Sequence, residues 1–297
     1  MHNESFLDFG ARMRSTPWAL SAPGLARLHA FVDAGPPRGA RASRPPPRRG
    51  AACAGTCVIA VHGILDQRRG LLEALGIGVS CDTINAALND ALNDPAVGRV
   101  VLDIDSPGGS VYGVGELAAS IRAARSQKPI IAIANSLAAS AAYWIGCSAS
   151  KLYMSPCAEV GSIGVWMAHE DWSKAVADSG VDVTLISAGK YKTEGNPYGP
   201  LDADAKAFLQ SRTDDYYTMF TKAVAAGRGV PIDSVRNGMG QGRVVGAAQA
   251  LAEKMVDGVM PFNEAMNGGL GAARAGMTAH SLRPNVTRAL REIDLLG

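Results

Sequence analysis

The amino-acid sequence predicts an α/β fold. From residue 56 onward, short runs rich in Val, Ile and Ala, which suit buried strands, alternate with longer runs in which apolar residues recur at helical spacing. This alternation is typical of strands that are connected by helices. Apolar residues make up 47% of the 297 residues, so the chain can bury a full core.

The predicted elements divide the chain into three regions. The predicted strands cover residues 56–64, 99–105, 129–134, 151–154, 162–167 and 181–187. The predicted helices cover residues 23–34, 81–93, 111–125, 139–148, 170–178, 202–226, 232–237 and 247–254. Residues 1–52 are an N-terminal arm and a Pro/Arg-rich linker, residues 53–262 one domain, and residues 263–297 a short C-terminal tail. The linker, residues 35–52, has no apolar periodicity, so we expect an extended, solvated spacer or a contact for an acidic partner or nucleic acid.

Charge and composition argue against several classes of protein. The formal net charge of +2 gives no global field that would indicate nucleic acid as the main partner. Five cysteines cannot all pair, which favours a reducing compartment, and Cys53 and Cys57 lack a second ligand pair at metal-site spacing. The N-terminus lacks the segments of a signal peptide, and no apolar stretch reaches membrane-spanning length. We therefore expect a cytoplasmic protein with no metal and no membrane anchor.

Residues 105–111, DSPGGSV, follow a predicted strand and precede a predicted helix. Gly108 and Gly109 allow a turn whose backbone N–H groups point outward, where they can receive an anion or an oxyanion that develops during a reaction. Glycine turns between a strand and a helix are also common as plain connections. The motif by itself leaves both interpretations open.

Ser140 stands between two pairs of alanines in residues 135–149, NSLAASAAYWIGCSA. It lies where a predicted strand gives way to a helix, so its N–H group and that of Ala141 have no helical acceptor. The small neighbours leave room for the backbone of another chain. The pattern fits a nucleophilic serine, and it also fits a helix N-terminus in tight packing.

A nucleophilic serine needs a base, because its hydroxyl reacts poorly at neutral pH. Among the five histidines, His62 ends a strand and is interpreted as structural, whereas His169 beside two carboxylates is a candidate base. A lysine can also serve when burial lowers the pKa of its amine. Lys192, in the loop ISAGKYKTEGNPYGPL at residues 186–201, is the lysine candidate.

Four motifs in the order DSPGGSV, NSLAASAAYW, EVGSIGV and GKYKTEGNP resemble those of peptidase family S49, the signal peptide peptidase A family. The resemblance covers about residues 56–260 and implies a Clp-protease/crotonase-like fold of repeated ββα units with a Ser-Lys dyad. It implies that Ser140 is the nucleophile, that Lys192 is the general base, and that Ser162 orients the lysine.

The resemblance also implies an oxyanion hole and an assembly. The N–H groups of Gly109 and Ala141 would form the hole, and Gly108 would shape its turn, with no cofactor required. The implied assembly is a homo-oligomeric ring in which neighbouring subunits complete the substrate groove.

Within the family, the chain is most similar to the head-maturation proteases of tailed bacteriophages, of the lambda C-protein type. The similarity depends on the PWAL stretch near the N-terminus, on the Ala141-Ala142-Tyr143 run and on the lack of a predicted anchor. It implies cleavage of capsid, scaffold or portal proteins in the host cytoplasm, the procapsid or the virion. Three alternatives stay open: a cytosolic relative that degrades peptide fragments, a crotonase-type acyl-CoA enzyme, and a structural head protein with a vestigial site.

Overall fold

The computed structural model describes residues 16–34, 51–53 and 55–266, which form a mixed α/β fold. The strands are β1 (Trp18–Leu20), β2 (Ala51–Cys53), β3 (Thr56–His62), β4 (Ile64–Asp66), β5 (Gly78–Ser80), β6 (Arg99–Ser106), β7 (Gly108–Ser110), β8 (Ile130–Ala139), β9 (Lys151–Met154), β10 (Glu159–Gly161), β11 (Val244–Gly246) and β12 (Gly258–Val259). The helices are α1 (Ala22–Ala34), α2 (Leu71–Ala74), α3 (Cys81–Asn93), α4 (Val114–Ala124), α5 (Ala141–Gly146), α6 (Ser173–Asp178), α7 (Ala203–Arg228), α8 (Ile232–Asn237) and α9 (Ala247–Ala252). None of the described helices is long and apolar enough to cross a membrane.

The larger sheet has eight strands, with the main order β11-β10-β8-β6-β3-β2. Its central strands β3, β6 and β8 run parallel, and their side chains are mostly buried, as expected when helices cover both faces of a parallel sheet. The ten-residue strand β8 pairs with β9 along its first half and with β10 along its second half. This second half leads directly to Ser140.

The smaller sheet has the strand order β1-β7-β4-β5 and holds the glycine motif. Strand β7 contains Gly108 and Gly109, and it pairs with β4 on one side and with β1 from the N-terminal arm on the other. The arm is therefore part of the fold as far as residues 16–34 are concerned. Trp18 and Leu20 from β1 pack with Leu28 of α1 in an apolar cluster that also contains Ile64 and Leu72.

The long helix α7 covers the short helix α5, which follows Ser140. Trp144 of α5 stacks on Phe220 of α7, with ring centroids 4.7 Å apart and planes 8° apart. Gly227 of α7 packs against the Cys147 backbone so closely that a Cβ atom there would lie 2.2 Å from the Cys147 carbonyl oxygen. The packing fixes α5, and with it the backbone of Ser140, inside the main core.

The predicted α/β class is confirmed, and two predicted strands are wrong. Residues 162–167 are irregular apart from one bridge at Trp166, and residues 181–187 are an exposed, irregular segment. Both runs have strand-like composition, but a strand forms only where a partner supplies hydrogen bonds. The linker predicted at residues 35–52 and the tail predicted from residue 263 lie largely outside the described residues.

Candidate active site

Ser140 lies at the junction between the end of β8 and the start of α5. Its backbone has φ 56° and ψ −119°, a conformation that residues other than glycine rarely adopt. Holding a residue there costs about 1 to 3 kcal/mol and is seen mainly at functional sites. The turn places the Ser140 hydroxyl group at the carboxyl end of the central strand β8.

The surroundings of Ser140 fix this conformation. Its N–H donates to the Gly161 carbonyl at 2.7 Å, and its own carbonyl accepts from the Trp144 N–H at 3.0 Å. The flanking alanines, Ala138, Ala139, Ala141 and Ala142, are all fully buried. Small side chains therefore let the turn pack into the core, as the sequence pattern predicted.

The Ser140 hydroxyl donates a long hydrogen bond of 3.4 Å to the Gly164 carbonyl. Gly164 also lines an open cleft of about 340 Å³, together with Leu20, Ala22, Leu25, Ser162, Val165, Trp166 and Gly242. A long bond of this kind is weak, so the hydroxyl can be redirected to another acceptor at little cost. The nucleophile candidate thus lies beside a cleft.

Gly108 and Gly109 are required by close backbone approaches at this site. Gly108 has φ +97°, and a Cβ atom there would lie 3.0 Å from Ser140 Cβ and 2.2 Å from the Ala19 carbonyl oxygen. A Cβ atom on Gly109 would lie 1.9 Å from the Leu65 carbonyl oxygen. The structure therefore brings the glycine motif next to Ser140, as strand β7 of the smaller sheet.

Ser106 holds this glycine strand in place, and the sequence analysis missed it. Its buried hydroxyl donates to the Gly63 carbonyl at 2.7 Å and accepts from the Gly108 N–H at 3.2 Å. The hydroxyl therefore joins the strand to the turn before β4. A serine just before Pro-Gly-Gly at the end of an apolar strand was the available signal.

Two backbone amides are candidates for the oxyanion hole. The Ala141 N–H is the first of α5 and has no acceptor within the helix. Gly109 pairs with Ala19 of β1. The oxyanion hole formed by these two amides stays a prediction.

Ser162 lies in the same cleft as Gly164. It has φ 52°, is largely buried, and donates its N–H to the Arg243 carbonyl at 2.7 Å. A second strained serine therefore stands two residues from the acceptor of the Ser140 hydroxyl.

Lys192 lies in an exposed turn between α6 and α7. Its N–H donates to the Gly189 carbonyl at 3.1 Å. Within the described residues, no hydrogen bond joins Lys192 to Ser140 or to Ser162. The pairing of Ser140 with Lys192 therefore stays a prediction.

Other candidate groups have different partners. The His62 ring is 3.1 Å from the Asp103 carboxylate, and the His169 ring is 3.0 Å from the Asn196 carbonyl. Burial raises the pKa of the Cys147 thiol to about 12, so the thiol stays protonated at neutral pH and is a poor nucleophile. In the part of the chain that is described, no group of three or more His, Cys, Asp or Glu side chains could hold a metal ion.

Known proteins are similar to this chain in sequence. Residues 122–269 match the model of peptidase family S49, a segment that contains Ser140, Ser162 and Lys192. The Capsid assembly protease C of Escherichia phage lambda is 38% identical over 181 residues, which are 61% of this chain and 41% of that protein. The Head-tail preconnector protein GP5 of Enterobacteria phage P21 is 35% identical over 231 residues, which are 77% of this chain and 45% of that protein.

Cellular proteins also match. The Putative protease MJ0651 of Methanocaldococcus jannaschii is 31% identical over 179 residues, or 60% of this chain and 57% of that protein. The chain thus spans less than two thirds of the length of these three relatives. The resemblance seen in the motifs is confirmed: the segment from residue 122 to residue 269 belongs to peptidase family S49.

Proposed function

We propose that this chain is a serine endopeptidase that processes capsid, scaffold or portal proteins during bacteriophage head maturation. One observation carries the proposal: Ser140 is buried, strained and packed against a glycine strand at the end of a central strand. Strained backbone of this kind is costly and clusters at functional sites, where it positions reacting groups. Two relatives, named as a capsid assembly protease and a putative protease, support the same class of activity. A Clp-protease/crotonase-like arrangement of ββα units is part of the proposal.

In the proposed reaction, Ser140 Oγ attacks the carbonyl carbon of a peptide bond while the Lys192 amine accepts the hydroxyl proton. The N–H groups of Gly109 and Ala141 stabilise the oxyanion, and the Ser162 hydroxyl orients the lysine. The proton then passes to the departing amine, which leaves an acyl ester on Ser140. Water hydrolyses the ester with the help of the same base, and the serine is regenerated.

Lys192 reaches a serine in an assembly of several copies of the chain. Residues 168–201, which are irregular apart from the short helix α6, expose large apolar side chains: Trp172, Val181, Val183, Leu185, Ile186, Tyr191 and Tyr198. Ile186 is 95% exposed, and Val181, Val183 and Leu185 alternate as in a strand that lacks a partner. A neighbouring copy that pairs with this stretch would bury these side chains and place the Lys192 turn at a serine.

The decisive experiment is intact-mass analysis of the chain co-expressed with capsid, scaffold and portal proteins. We expect fragments with the wild-type chain and none with Ser140→Ala or Lys192→Ala. The matched controls are Ser148→Ala, which removes another buried hydroxyl near α5, and Lys190→Ala, which removes the lysine that lies 4.7 Å from the Tyr191 ring. Fragments with Ser140→Ala would refute the proposed nucleophile. If the wild-type chain produced none, the proposed head-maturation role would fail, which leaves a protease with a different peptide substrate or a structural head protein.

A further measurement tests the base. Mixing Ser140→Ala with Lys192→Ala subunits should restore part of the activity, because some sites would then combine an intact serine with an intact lysine. No restoration would place both groups of a site in one chain.

A further inference from the structure

Strand β1 lies against the glycine-containing strand β7, beside Ser140. On one side it pairs antiparallel with β7, in the register Trp18 to Ser110, Ala19 to Gly109 and Leu20 to Gly108. On the other side, Trp18 and Trp166 exchange N–H to carbonyl hydrogen bonds, each 3.0 Å long. The Trp166 indole N–H also donates to the Leu20 carbonyl at 3.0 Å. Both edges of β1 are therefore hydrogen-bonded, on one side to a strand and on the other to the segment at Trp166, as in a peptide that adds to a sheet edge.

The register places one carbonyl group of β1 at the predicted oxyanion hole. The Ser21 N–H donates to the Pro107 carbonyl at 2.9 Å, and the Val111 N–H donates to the Pro17 carbonyl at 3.2 Å. Hydrogen-bonded pairs alternate along an antiparallel ladder, so the pair between these two is Ala19 with Gly109. The Gly109 N–H therefore donates to the carbonyl of Ala19.

The same carbonyl lies close to Ser140. The Cβ position of Gly108 is 2.2 Å from the Ala19 oxygen and 3.0 Å from Ser140 Cβ. The Ala19 oxygen and Ser140 Cβ therefore lie no farther apart than the sum of those two distances. The Ala19 side chain is fully buried in the main core, on the strand face opposite to Trp18 and Leu20. The groove that holds β1, between β7 and Trp166, therefore encloses a small side chain at this position.

We infer that residues 17–21 are a built-in occupant of the peptide groove, which must leave before another peptide can bind. The inference rests on the proposed peptidase function. It adds that the groove is occupied, and that a peptide must be extended and carry a small residue at the position of Ala19 in order to bind there. Trp18 is the anchor, because it is 1% exposed and packs in the cluster with Leu28, Ile64 and Leu72. A strand tethered within the chain competes with free peptides at a high effective concentration.

The test uses the full chain with Ser140→Ala, so that no cleavage occurs and binding is measured without activity. The probe is a fluorescent peptide with the sequence of residues 15–24, STPWALSAPG. Adding Trp18→Ala should weaken β1 and tighten binding of the probe by at least about tenfold, because the groove is then open in more of the molecules. Adding Leu88→Ala, which deletes a buried side chain of α3 in the main core, should leave the affinity unchanged.

A second measurement needs no core substitution. In the Ser140→Ala chain, excess probe peptide should replace β1 and speed hydrogen exchange at the Trp18 and Ser21 amides, which donate to Trp166 and Pro107. The same peptide carrying Ala19→Trp should have no effect, because the buried position has no room for an indole. Equal probe affinity with and without Trp18→Ala, or unchanged exchange at saturating probe, would overturn the inference. Neither result depends on whether the wild-type chain cuts protein, so the proposed function is judged separately.

Discussion

The strained backbone of Ser140 predicts an unusual response to glycine. Replacing a buried alanine by glycine normally destabilises a protein, by about 0.4 to 1 kcal/mol through the entropy of the unfolded chain and by about 0.8 kcal/mol through the lost methyl group. At φ 56° and ψ −119°, however, glycine avoids strain of about 1 to 3 kcal/mol that alanine keeps. The two effects oppose each other at this position.

Ser148 provides the matched comparison. It is also fully buried, follows the same helix, and is absent from the residues with positive φ. Both serines donate their hydroxyl groups to backbone carbonyls, and these hydrogen bonds are lost equally in the alanine and glycine variants. The glycine and alanine variants at Ser140 differ in free energy of unfolding, and so do those at Ser148. Comparing the two differences therefore isolates the contribution of backbone strain at Ser140.

We expect Ser148→Gly to be less stable than Ser148→Ala by about 1 to 2 kcal/mol. At Ser140 the same comparison should shift in favour of glycine by about 1 to 3 kcal/mol, so that the two variants are similar in stability or glycine is the better one. Urea unfolding of the four variants measures these differences. An equal glycine penalty at both positions would show that the Ser140 backbone is relaxed, and the argument from strain to function would fail.

Three further predictions concern Gly108, Asp257 and Cys157. Gly108→Ala should abolish proteolysis, because its Cβ would lie 3.0 Å from Ser140 Cβ and would displace the nucleophile candidate. It should also lower the free energy of unfolding by about 2 kcal/mol or more, because the same Cβ would lie 2.2 Å from a carbonyl oxygen of β1; Gly76→Ala, with φ +73° but open space, should be milder in urea unfolding. Burial acts to raise the pKa of Asp257, but the hydrogen bonds and charges around the carboxylate, first among them the hydrogen bond from Arg228, together outweigh it and hold this pKa below its ordinary value. The carboxylate therefore stabilises the fold at neutral pH, and this stabilisation is lost as acid protonates it. Asp257→Asn should lower the free energy of unfolding by about 1 kcal/mol at pH 7 and by progressively less below about pH 4; an equal loss at pH 7 and below pH 4 would contradict this. Among the described cysteines, Cys157 should react first with a thiol reagent at pH 8, as followed by mass spectrometry, because it is exposed and the other three described thiols are buried; equal labelling would show that the core opens readily.

Local sequence signals were strong enough to predict several elements at their observed bounds. Helix α3 begins after Ser80, whose hydroxyl accepts the Thr83 N–H at 3.1 Å, and it ends at Asn93 as predicted. The strand at Lys151–Met154 also has its predicted bounds. Each of these signals lies within a few residues of the element that it specifies, so the element can be predicted from local sequence.

Local patterns failed at two places: strand β1, and the irregular stretch at residues 181–187. The three residues of β1 are too few for periodicity, and they form a strand because β7, some ninety residues later, supplies the hydrogen bonds. Residues 181–187 have the alternation of a strand but meet no partner within the described chain. In both cases, whether a strand forms depends on pairing between segments that are distant in the chain. The composition of a short segment does not predict that pairing.

The sequence by itself determined the α/β class, the small neighbours that let Ser140 pack into the core, and the glycines that the neighbouring strand requires. These properties follow from local pattern and from residue size. The tertiary structure decided what surrounds the serine: β7 and Ser106 beside it, β1 in the groove, and Lys192 in a separate exposed turn. The physical reason is that packing and strand pairing join residues far apart in the chain, and the geometry of a site is set by those contacts.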